Sequence, residues 1–301
     1  MLSLKKFQAL PAEEVAKLVR ASGSKVLVFP INGTRRWFTL EYGEQEFEDP
    51  IHAFMDIAGR RQIELYRLCF DHGIHTLLTP VIGPEILATR DTYMQKIGGE
   101  GLARFVTHPD FVSFYEKYGV RVHFYGDYAR KLKGTPYDYL IELFDSIGES
   151  TRKNKNFRIF YGAFADDLTS SEIVAEMAVK HHADHGVIPD HKKLIELYYG
   201  DTIEKAHIFI GFDRFAAFDY PLLRWGEEDL YFTLFPSLYM DQTQFREILY
   251  DHVFTRRTRE PDFSSMPESA IKKVKAYYQR NREKTLGVGK LLHKVWIPKT
   301  K

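Results

Sequence analysis

The chain has 301 residues, 44% of them hydrophobic, with 42 basic and 41 acidic side chains and a net charge of +1. That balance excludes a global field able to recruit nucleic acid or an anionic membrane surface, so any anionic ligand must be gripped locally. The single cysteine, Cys69, excludes an internal disulfide and a thiolate zinc cluster. There is no apolar run of about 18 residues and no signal-peptide pattern at the start, so the expectation is a soluble cytoplasmic protein with no transmembrane segment.

The predicted elements alternate. PAEEVAKLVR (11–20) reads as a short amphipathic helix and KVLVFPI (25–31) as the first strand. A helical pattern from Pro50 to His72 stops at Gly73, and IHTLLTPVI (74–82) is β-rich. Strand, helix, strand within this length argues for a parallel sheet. A helix to Tyr118 then leads into strand 120–126, a helix over 135–149 into strand 157–165, and helices ending at Gly186 and Gly200 into strand 206–212. LYFTLFPS (230–237) closes the series, followed by the helix TQFREILYDHVFTRRTR. The expected fold is a single α/β domain over 1–301, a central mostly parallel sheet flanked by helices. An N-terminal helix lies within 1–20 and a basic helix and tail over 267–301.

Between the first strand and its helix stands INGTRRW. In an open parallel sheet, ligands sit beyond the carboxyl ends of the strands, where a loop entering a helix presents free backbone N–H groups to anions. Gly33 permits close approach, Thr34 adds a hydroxyl, and Arg35 and Arg36 carry forked donors that match phosphate oxygens. A phosphate or diphosphate ligand is the expectation; a helix cap with solvated arginines is the alternative.

A loop after a strand carrying G-x-R-R-W resembles the D-G-N-x-R-W signature of the cis-prenyltransferase (undecaprenyl diphosphate synthase) superfamily. HGIHTLLTPVI, VRVHFYGDYARKL and EDLYFTLFPSLYMDQTQF are similar to later segments of that family, in the same order. FPINGTRRWF, FYGDY, IFIGF, ILYDH and LGVG are closer still to one branch, the tuberculosinol and kolavelool synthases, and this likeness spans almost the whole chain. It implies a diterpene synthase that ionises a bicyclic diterpene diphosphate of the kolavenyl or tuberculosinyl type, expels diphosphate and quenches the allylic cation with water. The alternatives are a chain-elongating prenyltransferase and a non-catalytic accessory subunit that binds prenyl diphosphates.

The resemblance also assigns residues. Arg35, Arg36, Gly33 and Thr34 would hold the diphosphate, with Arg90 after the second strand and Arg214 after the late one. Elongating members bind a second diphosphate through an arginine- and serine-bearing stretch that here reads Ile210 to Phe218, where only Arg214 persists and Ala216 stands for serine; elongation is disfavoured. Asp229 aligns with a glutamate that helps hold Mg²⁺ across a dimer interface, which implies Mg²⁺ and a homodimer. Tyr125, Phe212 and Phe215, near predicted strand ends, are candidates for a hydrophobic pocket whose ring faces stabilise a cation, or are simply core.

Asn32 departs from the pattern. The family position is normally aspartate, a magnesium ligand, and an amide supplies neither anionic charge nor a base. A metal-free site built on arginines, an introduced substitution and a drift to a binding role all remain open.

Overall fold

β1 (Lys25–Val28) has only 4 residues, all buried, yet it holds the middle of the sheet. It pairs in parallel with β2 (Ile74–Ile82) on one side and β5 (Ile208–Phe212) on the other. With β3 (Val120–Tyr125), β4 (Phe157–Ala163) and β6 (Asp229–Thr233) these form a 6-stranded sheet, ordered β3-β4-β2-β1-β5-β6, in which every pair is parallel. The computed structural model describes residues 2–83, 92–256 and 262–299.

Parallel strands covered on both faces read as continuous apolar runs, which is why KVLV and IFIGF lack alternation. The alternation reappears in the packing. Leu27 joins one hydrophobic core, while Val26 and Val28 point into the other. The first core holds residues of α1 (Leu4–Gln8), α2 (Ala12–Arg20), α4 (Pro50–Asp71), α5 (Thr92–Thr107), α6 (Pro109–Tyr118), α8 (Tyr139–Ser150) and α11 (Gln242–Tyr250). The second is closed by α9 (Asp167–His185) and α10 (His191–Tyr199). Trp37 of α3 (Thr34–Tyr42) also enters the first core, and α7 (Tyr128–Leu132) is a single short turn before α8.

Local sequence sets the boundaries. Asp49 caps α4 by accepting from the Ile51 and His52 N–H groups, with Pro50 at its first position. Gly119, Gly186 and Gly200 end their helices with left-handed backbone, as the spacing predicts. All the expected strands but β2 are shorter in the structure, two of them for a plain local reason. β1 stops before Pro30, which has no N–H to donate, and β4 stops at Ala163 because Phe164 turns to φ 55.

Elements not read from sequence are α1, α5, α7 and an antiparallel hairpin of β7 (Gly289–Leu292) and β8 (Val295–Pro298). The C-terminal stretch is therefore α12 (Glu268–Asn281) followed by a hairpin rather than a loose tail. Its two turn residues, His293 and Lys294, have φ 44 and 71, the handedness of a tight two-residue hairpin turn. Among the described residues no helix is long and apolar enough to cross a membrane.

His207 locks the short central strand. Its N–H donates to the Val26 carbonyl at 2.9 Å, and its Nδ1 accepts from the Val26 N–H at 3.1 Å. The second bond requires a neutral imidazole at Nδ1. Burial, then Lys25 and the other nearby cations, press the His207 pKa to about 4. His123, stacked on Phe160 with ring centroids 4.7 Å apart, is also pressed to about 4, by burial and then by Arg121. Below the ordinary histidine pKa the unfolded chain takes up protons that the folded chain refuses, so stability is lost as pH falls from 6.5 toward 4. Each residue contributes a loss of about 1–2 kcal/mol by pH 5. Urea denaturation at pH 7.5 and pH 5 checks this, and His207→Gln is expected to flatten the profile.

Candidate active site

The carboxyl ends of β1, β2 and β5 open into a polar cleft of about 690 Å³. Asn32, Gly33, Arg35 and Arg36 border it on one side, Phe212, Asp213 and Arg214 on another, and Asp166 and the end of β2 on a third. A second cavity of about 150 Å³ lies between α4, α5 and α6, lined by Phe54, Met55, Ala58, Leu102, Phe105 and Phe111. Asn32, Pro80, Val81 and Ile82 border both spaces. The site is therefore amphipathic, a charged cleft beside an apolar chamber, with Asn32 bordering both.

The loop that carries Asn32 is fixed from across the sheet. Asn32 N–H donates to Ser237 Oγ at 3.1 Å and the Ser237 N–H donates back to the Asn32 carbonyl at 3.0 Å. Gly33 follows at φ 74, and a Cβ there would lie 2.6 Å from Phe212 Cε1 and 3.1 Å from Pro236 Cβ. Both the backbone angle and the contact require glycine. This close approach sets the start of α3 against the cleft, where the first N–H groups of the helix have no partner within it and the positive end of its dipole favours a bound anion.

Arg36 is aimed by two neighbours. Its guanidinium lies over the Phe212 ring, 5.1 Å from the centroid, and Nη2 donates to Asp213 Oδ2 at 3.1 Å. The Arg36 and Asp213 side chains are 39% and 35% exposed, so this ion pair adds little stability, about 0.2–1 kcal/mol. Its work is orientation. Asp213 itself has φ 74, and the Arg214 N–H bonds back to the Phe212 carbonyl at 3.0 Å, a γ-turn of the rare strained hand. That strain turns the carboxylate toward Arg36 and leaves Arg214 on the rim. Arg35 is exposed and borders the same cleft.

Several residues stand elsewhere than the sequence implied. Thr34 borders the apolar cavity rather than the cleft. Tyr125 is buried in the second core, packed on Tyr199 with centroids 4.7 Å apart, and its hydroxyl donates to the Asp219 carbonyl at 2.7 Å; it supports the cleft from behind and lines neither the cleft nor the chamber. Phe212 lines the cleft, not the apolar chamber, and Phe215 is 44% exposed against the terminal hairpin. Arg90 lies outside the described residues.

Asp229 is not brought to Asn32 within one chain. It pairs with Ile208 at the start of the strands, whereas Phe212 at the cleft pairs with Thr233, about 13 Å further along. Its Oδ2 is taken by His252 Nδ1 at 2.7 Å, and Oδ1 lies 3.9 Å from Arg256. The His181 and His185 rings stack with centroids 4.3 Å apart on an exposed helix face. Among the described residues no group of three or more His, Cys, Asp or Glu side chains is arranged to hold a metal ion. The acids at the cleft suit a different arrangement, since Mg²⁺ is commonly held by one or two carboxylates together with the phosphate oxygens of a substrate.

The chamber was missed because its walls are helical apolar residues, which read as ordinary core. The available signal was glycine inside helices, where it costs roughly 1 kcal/mol relative to alanine. Gly59 of α4 and Gly101 of α5 both line the chamber.

No family model matches the chain. Over 299 residues it is 38% identical to the tuberculosinyl adenosine transferase of Mycobacterium tuberculosis, covering 99% of this chain and 98% of that protein. The chain belongs to the family of that transferase. A second relative, the (+)-kolavelool synthase of Herpetosiphon aurantiacus, is 23% identical across 94% of this chain and 92% of its own length. Among solved structures, lavandulyl diphosphate synthase from Lavandula x intermedia superposes with a TM-score of 0.54 at 13% identity, covering 81% of this chain and 98% of that one. A probable undecaprenyl diphosphate synthase from Campylobacter jejuni gives 0.53 at 14% identity, covering 80% and 99%. These two structures establish the fold.

Gly33→Ala is expected to destabilise the chain by about 1–3 kcal/mol through backbone strain and the Phe212 contact. Combining it with Phe212→Ala removes the contact and leaves the strain, so denaturation of the single and double variants separates the two.

Proposed function

We propose that the chain ionises a bicyclic diterpene diphosphate of the kolavenyl or tuberculosinyl type at this cleft and captures the allylic cation with water, giving a diterpene alcohol. The observation that carries the reading is the position of Asn32, where a cleft lined by arginines adjoins an apolar chamber. An amphipathic diphosphate has the same two parts. Its head would meet Arg35, Arg36 and the N–H groups at the start of α3, and its hydrocarbon would enter between α4 and α5. A chamber of about 150 Å³ takes roughly one ring. The second ring would occupy the mouth shared with the cleft.

In this scheme the allylic C–O bond breaks with its electron pair leaving on the diphosphate. Fixed guanidinium and backbone donors stabilise the charge that develops there, and they need no reorganisation as the bond lengthens. Phe212, already beneath the Arg36 guanidinium, presents an aromatic face at the same mouth. Water then attacks the carbon and releases a proton. Chain elongation is disfavoured, because the stretch after β5 offers Arg214 and Ala216 where a second diphosphate would need several donors.

One observation favours a second nucleophile. Beyond Arg36, Asp213 and Arg214 the cleft adjoins a further pocket of about 480 Å³ under the terminal hairpin, lined by Phe215, Lys294 and Trp296. The 38% identical relative is named for transfer to adenosine, and a planar base would suit these aromatic walls.

Incubation with tuberculosinyl and kolavenyl diphosphates, with and without adenosine, followed by mass spectrometry, tests the proposal. Alcohol and diphosphate are expected from one of the two alone; an adenosine adduct would select the second reading, and no conversion of either would defeat both. Arg36→Ala is expected to lower turnover by about 10²-fold or more. Near-normal turnover in that variant would remove the electrostatic account.

A further inference from the structure

The family's carboxylate is missing at position 32, but another carboxylate stands on the opposite wall of the cleft. Asp166 follows β4 and caps α9, with Oδ1 accepting from the Thr169 N–H at 3.0 Å and from Thr169 Oγ1 at 2.9 Å. Its other oxygen, Oδ2, is buried and has no hydrogen-bond partner among the described residues. Buried carboxylate oxygens are ordinarily satisfied, and one left without a donor marks the place of a group that completes it.

The other acids on the cleft wall are engaged. Asp213 is bound to Arg36, and Asp219 has interactions of its own. The segment that presents Asp166 is rigidly held. Phe164, at φ 55, donates its N–H to the Ile82 carbonyl at 2.9 Å and accepts from the Asp127 N–H at 3.0 Å. A bulky residue in left-handed backbone is costly, and such strain concentrates where a neighbouring group must be aimed. The same bond ties the Asp166 loop to Ile82, which lines the cleft beside Asn32.

We propose that Asp166 supplies, from the β4–α9 loop, the carboxylate oxygen that anchors a divalent cation to the substrate diphosphate, replacing the charge that Asn32 leaves out. The ligand class is a hard cation such as Mg²⁺, which takes carboxylate and phosphate oxygens and keeps several waters. One protein carboxylate plus a diphosphate is sufficient for such a site, so the cation enters with the substrate rather than residing in the free protein. The inference rests on the cleft holding a diphosphate, as proposed above. Asn32 then stays at the junction as a neutral group, and the negative charge sits on the side of the cleft away from the chamber.

The test reads metal affinity, not turnover. Mn²⁺ binding to the full chain is followed by electron paramagnetic resonance with and without an unreactive geranylgeranyl thiolodiphosphate, for the parent and for Asp166→Asn. Asparagine also caps helices, so α9 is expected to keep its start, and a thermal melt checks this. The expected result is Mn²⁺ binding by the parent only with the analogue, weakened at least 10-fold in Asp166→Asn, and recovered in the double variant Asn32→Asp with Asp166→Asn. Equal Mn²⁺ affinity in parent and Asp166→Asn would overturn the proposal, as would no analogue-dependent Mn²⁺ binding by the parent. Analogue affinity measured in EDTA tests the arginine cleft separately. If the analogue binds neither with nor without metal, the diphosphate reading of the cleft fails, and the same titration with inorganic diphosphate decides the role of Asp166.

Discussion

The site depends on how closely Gly33 lies against Phe212. A parallel sheet gathers its strand ends on one edge, but only a residue without Cβ brings the β1–α3 loop into contact with the last ring of β5. That contact closes the gap between two adjacent strands and directs the start of α3 at the cleft. It also places Arg36 above the ring and within reach of Asp213. The Arg36 guanidinium therefore has a fixed position, although the ion pair that holds it is energetically weak.

Rigidity around the cleft comes from local strain balanced by deep packing. Phe164, Asp213 and Asp219 adopt positive φ without being glycine, the first two immediately beyond β4 and β5 and the third further along the loop after β5. Behind them Tyr125 and Tyr199 are buried and bond to carbonyls of the 219–221 turn. A strained loop held by a packed aromatic layer keeps its shape when a charged ligand arrives, and preorganisation of this kind lowers the cost of stabilising a leaving anion.

Much of the architecture was legible in the sequence. Glycines after helices, prolines at their starts and unbroken apolar strands marked the alternation, and β2 runs over the same residues that its β-rich pattern covered. INGTRRW was legible because its chemistry is local, a turn residue followed by donors. The chamber was not, since Phe54, Leu102 and Phe105 line it from helices whose periodicity announces only burial. Asp166 was equally hidden. An acid before a helix reads as a cap, and only the structure shows that capping occupies one of its two oxygens. The terminal hairpin escaped because its turn uses His293 and Lys294 rather than the usual glycine and asparagine.

Gly59 and Gly101 give the chamber part of its room by what they lack. Space made by absent side chains can be withdrawn one methyl group at a time, whereas space carved among large rings cannot. Because these two glycines sit on α4 and α5, far in sequence from the arginines of α3, the volume of the chamber is free to drift in a descendant while the charged cleft stays the same.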